Sequence, residues 1–276
     1  MRGYTIEEPL GGGSYGVVLR AVREGYNYAI KAVINEDNEA PENTRLRFRL
    51  EAEILKRVNH RQIPGFVDAF SLADVHYLVQ EYIEGLPLSH LIYTGRRFNE
   101  AEIKEVIRQL LAILNVLHNP PCQHDAVVHR DLRLSNLMLS GNKLYLIDFG
   151  LARFIDSQQF SLCPDPLQTK FRSAPGKEKS MALSGSPPLR HMPGPYTYQL
   201  LRREISPRSD LFGAGVVAVD LFTNWVEDEA LFKESWEEVL PLSEPFKIFI
   251  KKLLSREGFT SSTEALAYLC SQDPEV

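Results

Sequence analysis

Cysteine is scarce in this chain: Cys122, Cys163 and Cys270 are odd in number and widely spaced. Neither a disulfide framework nor a Cys/His zinc pattern is therefore expected, and a reducing, cytoplasmic setting is the simplest expectation. Positive charge is not in excess either. The 31 Lys and Arg against 36 Asp and Glu leave a net charge of -5, which argues against a general nucleic-acid binder, because neutralising phosphates needs a basic surface. Long apolar runs are missing. The run Ala214 to Val219 is interrupted by Gly215 and ended by Asp220, far short of a membrane span. The start, Met1 to Glu8, lacks an apolar core, so no secretory signal is expected. No internal repeat stands out. What is present is ordinary for a globular protein: 44% hydrophobic and 24% charged residues over 276 positions, enough for one large domain or two lobes.

The first eighty or so residues read as strands with one helix. Leu10-Gly11-Gly12-Gly13-Ser14-Tyr15-Gly16-Val17-Val18 is a strand, a glycine turn and a strand, and Tyr26 to Val33 alternates like a further strand. From Thr44 to Val58, Leu46, Leu50, Ile54 and Val58 recur every four residues on one helical face, flanked by Glu51 and Glu53. His76 to Ile83 returns to a strand-like run, and Glu84-Gly85-Leu86-Pro87 breaks it, which places a lobe boundary after residue 84. Beyond it the texture is helical. Asn99 with Glu102 makes a capping box ahead of the stripe Ile103, Val106, Ile107, Leu110, Leu111, Leu114 and Leu117. Helices are expected again over Asp210 to Phe222, Glu244 to Leu254 and Thr263 to Cys270. Seven of the seventeen prolines fall between Arg153 and Pro195, where Lys170, Arg172, Lys177, Lys179 and Arg190 outweigh Asp156, Asp165 and Glu178. An extended, weakly basic, mobile segment is expected there.

Chemistry concentrates in Val127-Val128-His129-Arg130-Asp131-Leu132-Arg133-Leu134-Ser135-Asn136 and in Leu146-Ile147-Asp148-Phe149-Gly150. Each of Asp131, Asn136 and Asp148 is expected at the end of a short apolar run, and acids in such places need a reason. Asp131 could accept a proton from a hydroxyl, while Asn136 and Asp148 carry the hard oxygen ligands that Mg²⁺ prefers. Gly11, Gly13 and Gly16 suit a loop whose backbone N–H groups approach phosphate oxygens closely. The same spacing serves dinucleotide-binding folds, but there the glycines lead into a helix, whereas Val17, Val18 and Leu19 continue as β-formers. Val18 is placed to touch a flat base. Lys31 ends an apolar strand, where an unpaired ammonium would be costly; Glu51 or Glu53 could supply its carboxylate.

Taken in order, these motifs resemble the eukaryotic-type protein kinase family over nearly the whole chain. The glycine loop comes first, then Tyr28-Ala29-Ile30-Lys31, a helix Glu, a hinge after Val79-Gln80-Glu81, the HRD and DFG triplets, and Ser209-Asp210-Leu211-Phe212-Gly213-Ala214-Gly215. The resemblance implies an α+β, two-lobed fold, with an antiparallel-sheet lobe carrying one helix (1–84) and a mainly helical lobe (85–276) that holds a long activation segment (148–199). It implies ATP and Mg²⁺ as cofactors and a protein hydroxyl as acceptor. Lys31 would bind phosphates and pair with Glu51, preferred over Glu53 for its spacing to Ile54-Leu55. Asp131 would orient or deprotonate the acceptor, Arg133 would face the γ-phosphate, and Asn136 and Asp148 would hold metal. Leu10, Val18, Ala29 and Met138 would sandwich adenine, with Glu81 and Ile83 bonding its edge and Gln80 as gatekeeper. Asp210 would brace the catalytic loop. Arg130 would receive a phosphate or pair permanently with a carboxylate, and His129 would pack and hydrogen-bond structurally.

The pattern also departs from the family. Arg133-Leu134 replaces the usual Lys-Pro, which leaves serine/threonine over tyrosine specificity open. Pro87 stands near the usual acidic ribose contact, with Ser89 as a substitute. Sixty-two positions separate Asp148 from Asp210, and no A-P-E triplet falls between them. Thr197-Tyr198-Gln199 is the nearest match, and Glu257-Gly258-Phe259-Thr260-Ser261-Ser262 stands where the partner arginine would, so the family's buried Glu–Arg pair is replaced by another packing solution. Thr169, Ser173, Ser180, Ser184 and Ser186 lie among basic residues as candidates for self-phosphorylation. A pseudokinase or a small-molecule phosphotransferase would share the two-lobe plan. Retention of Lys31, Asp131, Asn136 and Asp148 opposes the first, and the glycine loop with Gly150 opposes the second.

Overall fold

Alternation along Tyr26–Val33 puts Ile30 on one face of a sheet and Lys31 on the other, and this strand, β3, lies at the centre of the first half of the fold. The computed structural model describes residues 2–13, 16–34, 40–156, 204–228, 230–231 and 234–272. In it β1 (Thr5–Gly13), β2 (Gly16–Arg23), β3, β4 (Phe66–Leu72) and β5 (Val75–Glu81) form an antiparallel sheet of order β1-β2-β3-β5-β4. On its outer face Ile30 joins Tyr4, Ala21, Phe70 and Val79 in a small apolar cluster. On the inner face Val33 and Leu78 belong to the main core, which runs on through α1 into the second half.

Helix α1 spans Pro41–Arg57, three residues longer at its start than the stripe from Thr44 suggests. Pro41 opens its first turn, where a fixed φ and a missing N–H are no handicap, and that polar turn carries no apolar repeat by which to see it. Past the helix, Gln62 ties the connection to the second half: its side chain donates to the Leu144 carbonyl (2.8 Å), and its own carbonyl accepts from Leu146 N–H (2.9 Å).

Beyond β6 (Leu86–Pro87) and α2 (Leu88–Tyr93), helix α3 (Glu100–His118) begins at the expected capping box, with Asn99 and Glu102 exchanging bonds of 2.9 Å. The apolar run before Asp131 yields only a two-residue strand, β7 (Val127–Val128), paired with β10 (Arg153–Phe154). Asn136 precedes rather than ends a strand: it closes a tight turn ahead of the hairpin β8 (Leu137–Ser140) and β9 (Lys143–Leu146). Helix α4 (Pro207–Asp220) is buried on nearly all sides, as a helix apolar around its circumference should be. It stops two residues short of Phe222, because a single turn over Thr223–Trp225 is pulled away by Asn224 Nδ2 to the Ile92 and Arg96 carbonyls (2.7 and 3.0 Å). Helices α5 (Trp236–Val239), α6 (Glu244–Leu254) and α7 (Ser262–Gln272) complete the described chain. No helix among the described residues is long and apolar enough to cross a membrane. Ser14, Tyr15, Cys163, the candidate phosphorylation sites and Thr197-Tyr198-Gln199 lie outside the described residues.

One residue of α4 carries a testable cost. Burial pushes the Asp220 carboxyl up to about 7, at a helix end whose dipole also disfavours negative charge. A folded value above the unfolded value of about 3.9 means that stability is lost as pH rises between the two. Asp220→Asn is therefore expected to leave Tm unchanged at pH 4 and to raise it by roughly 5 °C at pH 8, as read by thermal denaturation at both pH values.

Candidate active site

The inward face of β3 delivers Lys31 to α1. Its Nζ donates to Glu51 Oε1 (2.7 Å) and Oε2 (3.0 Å), and to Asp148 Oδ1 (2.7 Å) from the second half of the chain. Glu53, two residues along the helix, turns instead to Arg57 (2.8 Å). Gly150 allows this convergence, since a Cβ there would stand 3.0 Å from Lys31 Nζ and 3.2 Å from Asp148 Oδ1. Asp148 adopts φ 63, in the left-handed region, and accepts from Gly150 N–H at 3.3 Å. Phe149 is buried and meets the His129 ring edge-on at 4.9 Å.

The loop carrying Asp131 is held from below. Asp210, near the start of α4, accepts from His129 N–H (2.8 Å, Oδ2) and Arg130 N–H (2.7 Å, Oδ1). Arg130 is buried, has φ 65 and donates to the Leu151 carbonyl at 3.5 Å. His129 bonds the Ile147 carbonyl through Nε2 (3.1 Å) and faces Asp131 N–H through Nδ1 (3.3 Å), so the ring links the two loops. Asn136 Nδ2 donates to the Asp131 carbonyl (2.9 Å) and to Asp131 Oδ2 (3.0 Å). With its amide nitrogen so engaged, Oδ1 is the atom that Asn136 has for a metal.

A family model described as protein kinase domain matches residues 4–176, well over half of the chain. The chain belongs to this family. Similar proteins include "Probable serine/threonine-protein kinase YbdM" of Bacillus subtilis (strain 168), 33% identical over 159 residues that make up 56% of this chain and 60% of that protein. "NUAK family SNF1-like kinase 1" of Homo sapiens is 32% identical over 169 residues, 59% of this chain and 25% of that one. "Hormonally up-regulated neu tumor-associated kinase homolog" of Xenopus tropicalis is 33% identical over 152 residues, 54% and 21% of the two chains. The matched region thus spans at most 60% of the length of these relatives.

In this kinase domain the charges at the site balance one another. Burial alone would lower the Lys31 pKa, but the Asp148 and Glu51 carboxylates raise it above the ordinary lysine value. Burial pushes Glu51 up against the pull of Lys31. Partial desolvation opposes ionisation of Asp148, whose side chain is 44% exposed, yet Lys31, His129 and the Gly150 N–H hold its carboxyl below the usual range. Asp210 is likewise held low despite burial, chiefly by His118, whose Nε2 lies 2.9 Å from Oδ2. His118 was not singled out in the sequence. Its signal was position: it falls four residues after Leu114, on the buried face of α3.

Of the adenine candidates, Val18 and Ala29 are half-buried on β2 and β3, Met138 is half-buried on β8, and Leu10 is exposed on β1 at 43%. Leu10 is therefore not a core residue. Gly16 needs its lack of a side chain: at φ 141 a Cβ would come 2.0 Å from the Ala32 carbonyl. Gly11 and Gly13 pair with Val18 and Gly16 across the hairpin, which makes this a strand-to-strand loop and not a strand-to-helix turn. The Glu81 N–H is engaged by the Gly65 carbonyl (2.9 Å), and Ile83 is buried. Arg133 is half-buried at the start of the turn that carries Asn136, and Ser89 is half-buried on α2.

Proposed function

We propose that this chain is an ATP- and Mg²⁺-dependent protein kinase that acts on serine or threonine hydroxyls. The observation that carries the reading is the Lys31 ammonium shared between Glu51 and Asp148, because it joins the two halves of the chain at one cation suited to phosphate oxygens. The Bacillus subtilis relative, named a probable serine/threonine-protein kinase, favours that acceptor class. The lobes are taken as 1–84 and 85–276, with the activation segment at 148–199 and the catalytic cleft between them.

When bound, ATP would supply the phosphoryl group and Mg²⁺ would supply positive charge to its oxygens. Asn136 Oδ1 and the Asp148 carboxylate would hold the metal; both are hard oxygen donors, as the ion requires. Lys31 fixes α- and β-phosphate oxygens, the loop of Gly11, Gly13 and Gly16 covers them, and Arg133 faces the transferred group. Asp131 orients the acceptor hydroxyl and takes its proton as the new P–O bond forms. Leu10, Val18, Ala29 and Met138 enclose the base, while Glu81 and Ile83 offer backbone bonds to its edge. A cytoplasmic setting accords with the free thiols of Cys122 and Cys270. Self-phosphorylation between residues 169 and 186 is part of the same reading.

The decisive experiment is incubation with γ-labelled ATP and Mg²⁺, with and without generic protein substrates, followed by phosphoamino-acid analysis. Label on serine or threonine is expected, on the chain itself or on the added protein. Nucleotide binding without any transfer would replace the reading with a pseudokinase, and label confined to a small-molecule hydroxyl would replace it with a small-molecule phosphotransferase.

A further inference from the structure

Arg208, the second residue of α4, reaches across to the end of α6. Its Nη2 donates to the Leu253 carbonyl at 2.7 Å and to the Ser255 carbonyl, and its Nη1 donates to the Phe259 carbonyl at 3.2 Å. Helix α6 ends at Leu254, so Leu253 is among the last carbonyls, which have no partner within the helix. The three acceptors converge because the chain after α6 folds back tightly on itself. Gly258 N–H bonds the Ser255 carbonyl at 3.3 Å, and a Cβ at Gly258 would sit 1.7 Å from the Lys252 carbonyl. Phe259, buried at 2% and packed on Phe249 and Tyr268, anchors the fold-back. Burial lowers the Arg208 pKa, an effect that the Glu204 carboxylate opposes. The guanidinium thus gives up hydration for a set of carbonyls at the negative end of a helix.

The sequence lacks the family's Glu–Arg pair, whose arginine would fall within Glu257 to Ser262. In that neighbourhood the cation comes from the start of α4, and its acceptors are backbone carbonyls. Two residues further on, Asp210 holds the backbone N–H groups of His129 and Arg130. We propose that Arg208 is a positioning residue: by fixing the start of α4 to the end of α6 it fixes Asp210, and through Asp210 the loop that presents Asp131. The link to catalysis rests on the kinase reading above; the link to the loop backbone does not.

The test compares wild type, Arg208→Ala and Arg208→Lys by hydrogen exchange and by phosphoryl transfer. Arg208→Ala is expected to lower Tm by roughly 5–10 °C. It should also speed exchange of the His129 and Arg130 amides on the order of tenfold and lower kcat on the order of tenfold, with KM for ATP within about twofold. Arg208→Lys keeps the charge but not the fork, and should recover part of the amide protection and part of kcat. Arg208→Ala with native protection at His129 and Arg130 and native kcat would reduce Arg208 to a stability contact and overturn the proposal. If Arg208→Ala does not fold, Arg208→Lys decides: protection and kcat both at wild-type level would overturn it equally. A wild-type chain that transfers no phosphate would defeat the kinase reading alone, since amide exchange still reports the tether.

Discussion

Asp148→Asn is expected to abolish phosphoryl transfer, with a loss of roughly 10³-fold or more, and to leave the fold intact. The backbone at this position has φ 63, a left-handed conformation that asparagine tolerates as well as aspartate. The amide oxygen can still accept from Lys31 Nζ and from Gly150 N–H, which now lie 2.7 and 3.3 Å from Oδ1. What vanishes is one negative charge on the proposed metal ligand. Because Lys31 holds the Asp148 carboxyl below the ordinary range, wild type gains stability from this group above its unfolded pKa of about 3.9, a gain that solvent screening keeps small at a side chain 44% exposed. That gain is lost as pH falls through the lower folded value. The Tm difference between wild type and variant should therefore be small, present at neutral pH and absent in strong acid. Labelling at the wild-type rate by a folded Asp148→Asn chain would sink the assignment of Asp148 to the metal.

Why some of this site could be read from sequence and some could not is visible in Glu51 and Glu53. They stand on opposite flanks of the stripe Leu46, Leu50, Ile54, since two residues turn a helix by about 200°. Periodicity identifies the stripe but not which flank faces the sheet; that depends on how α1 lies across β3 and β5, a tertiary fact. Packing buries Glu51 at 5% and leaves Glu53 to Arg57. The strand β3 and the alternation of its two faces were legible because a period of two is local, and the capping box of α3 was legible because both partners lie within one turn. His118 to Asp210 and Arg208 to Leu253 join residues 92 and 45 positions apart, and no local pattern announces such pairs. The contact of Arg208 with main-chain carbonyls could not follow from residue types, because backbone acceptors leave no mark in a sequence.

Lys31→Met is expected to be damaging twice over, and the two effects separate. Lys31 and Glu51 have side chains only 12% and 6% exposed, so removal of the ammonium strands a buried carboxylate and costs roughly 3–5 kcal/mol of stability. Burial already pushes the Glu51 pKa up, and Lys31 is the main influence holding it down. Without Lys31 the folded value rises further above the unfolded one. Stability of the variant is then highest at acid pH, where Glu51 is protonated in both states, and falls as pH climbs toward the folded value. Phosphoryl transfer should fall about 10³-fold at any pH if Lys31 is the cation that holds the α- and β-phosphates, as proposed. Adding Glu51→Gln removes the stranded charge, and the double variant should regain most of the lost stability with no recovery of transfer. Urea denaturation of the two single variants and the double variant measures the coupling directly. If the stability losses simply add, Lys31 and Glu51 do not act as a pair; if the double variant transfers phosphate at the wild-type rate, Lys31 does not hold the nucleotide.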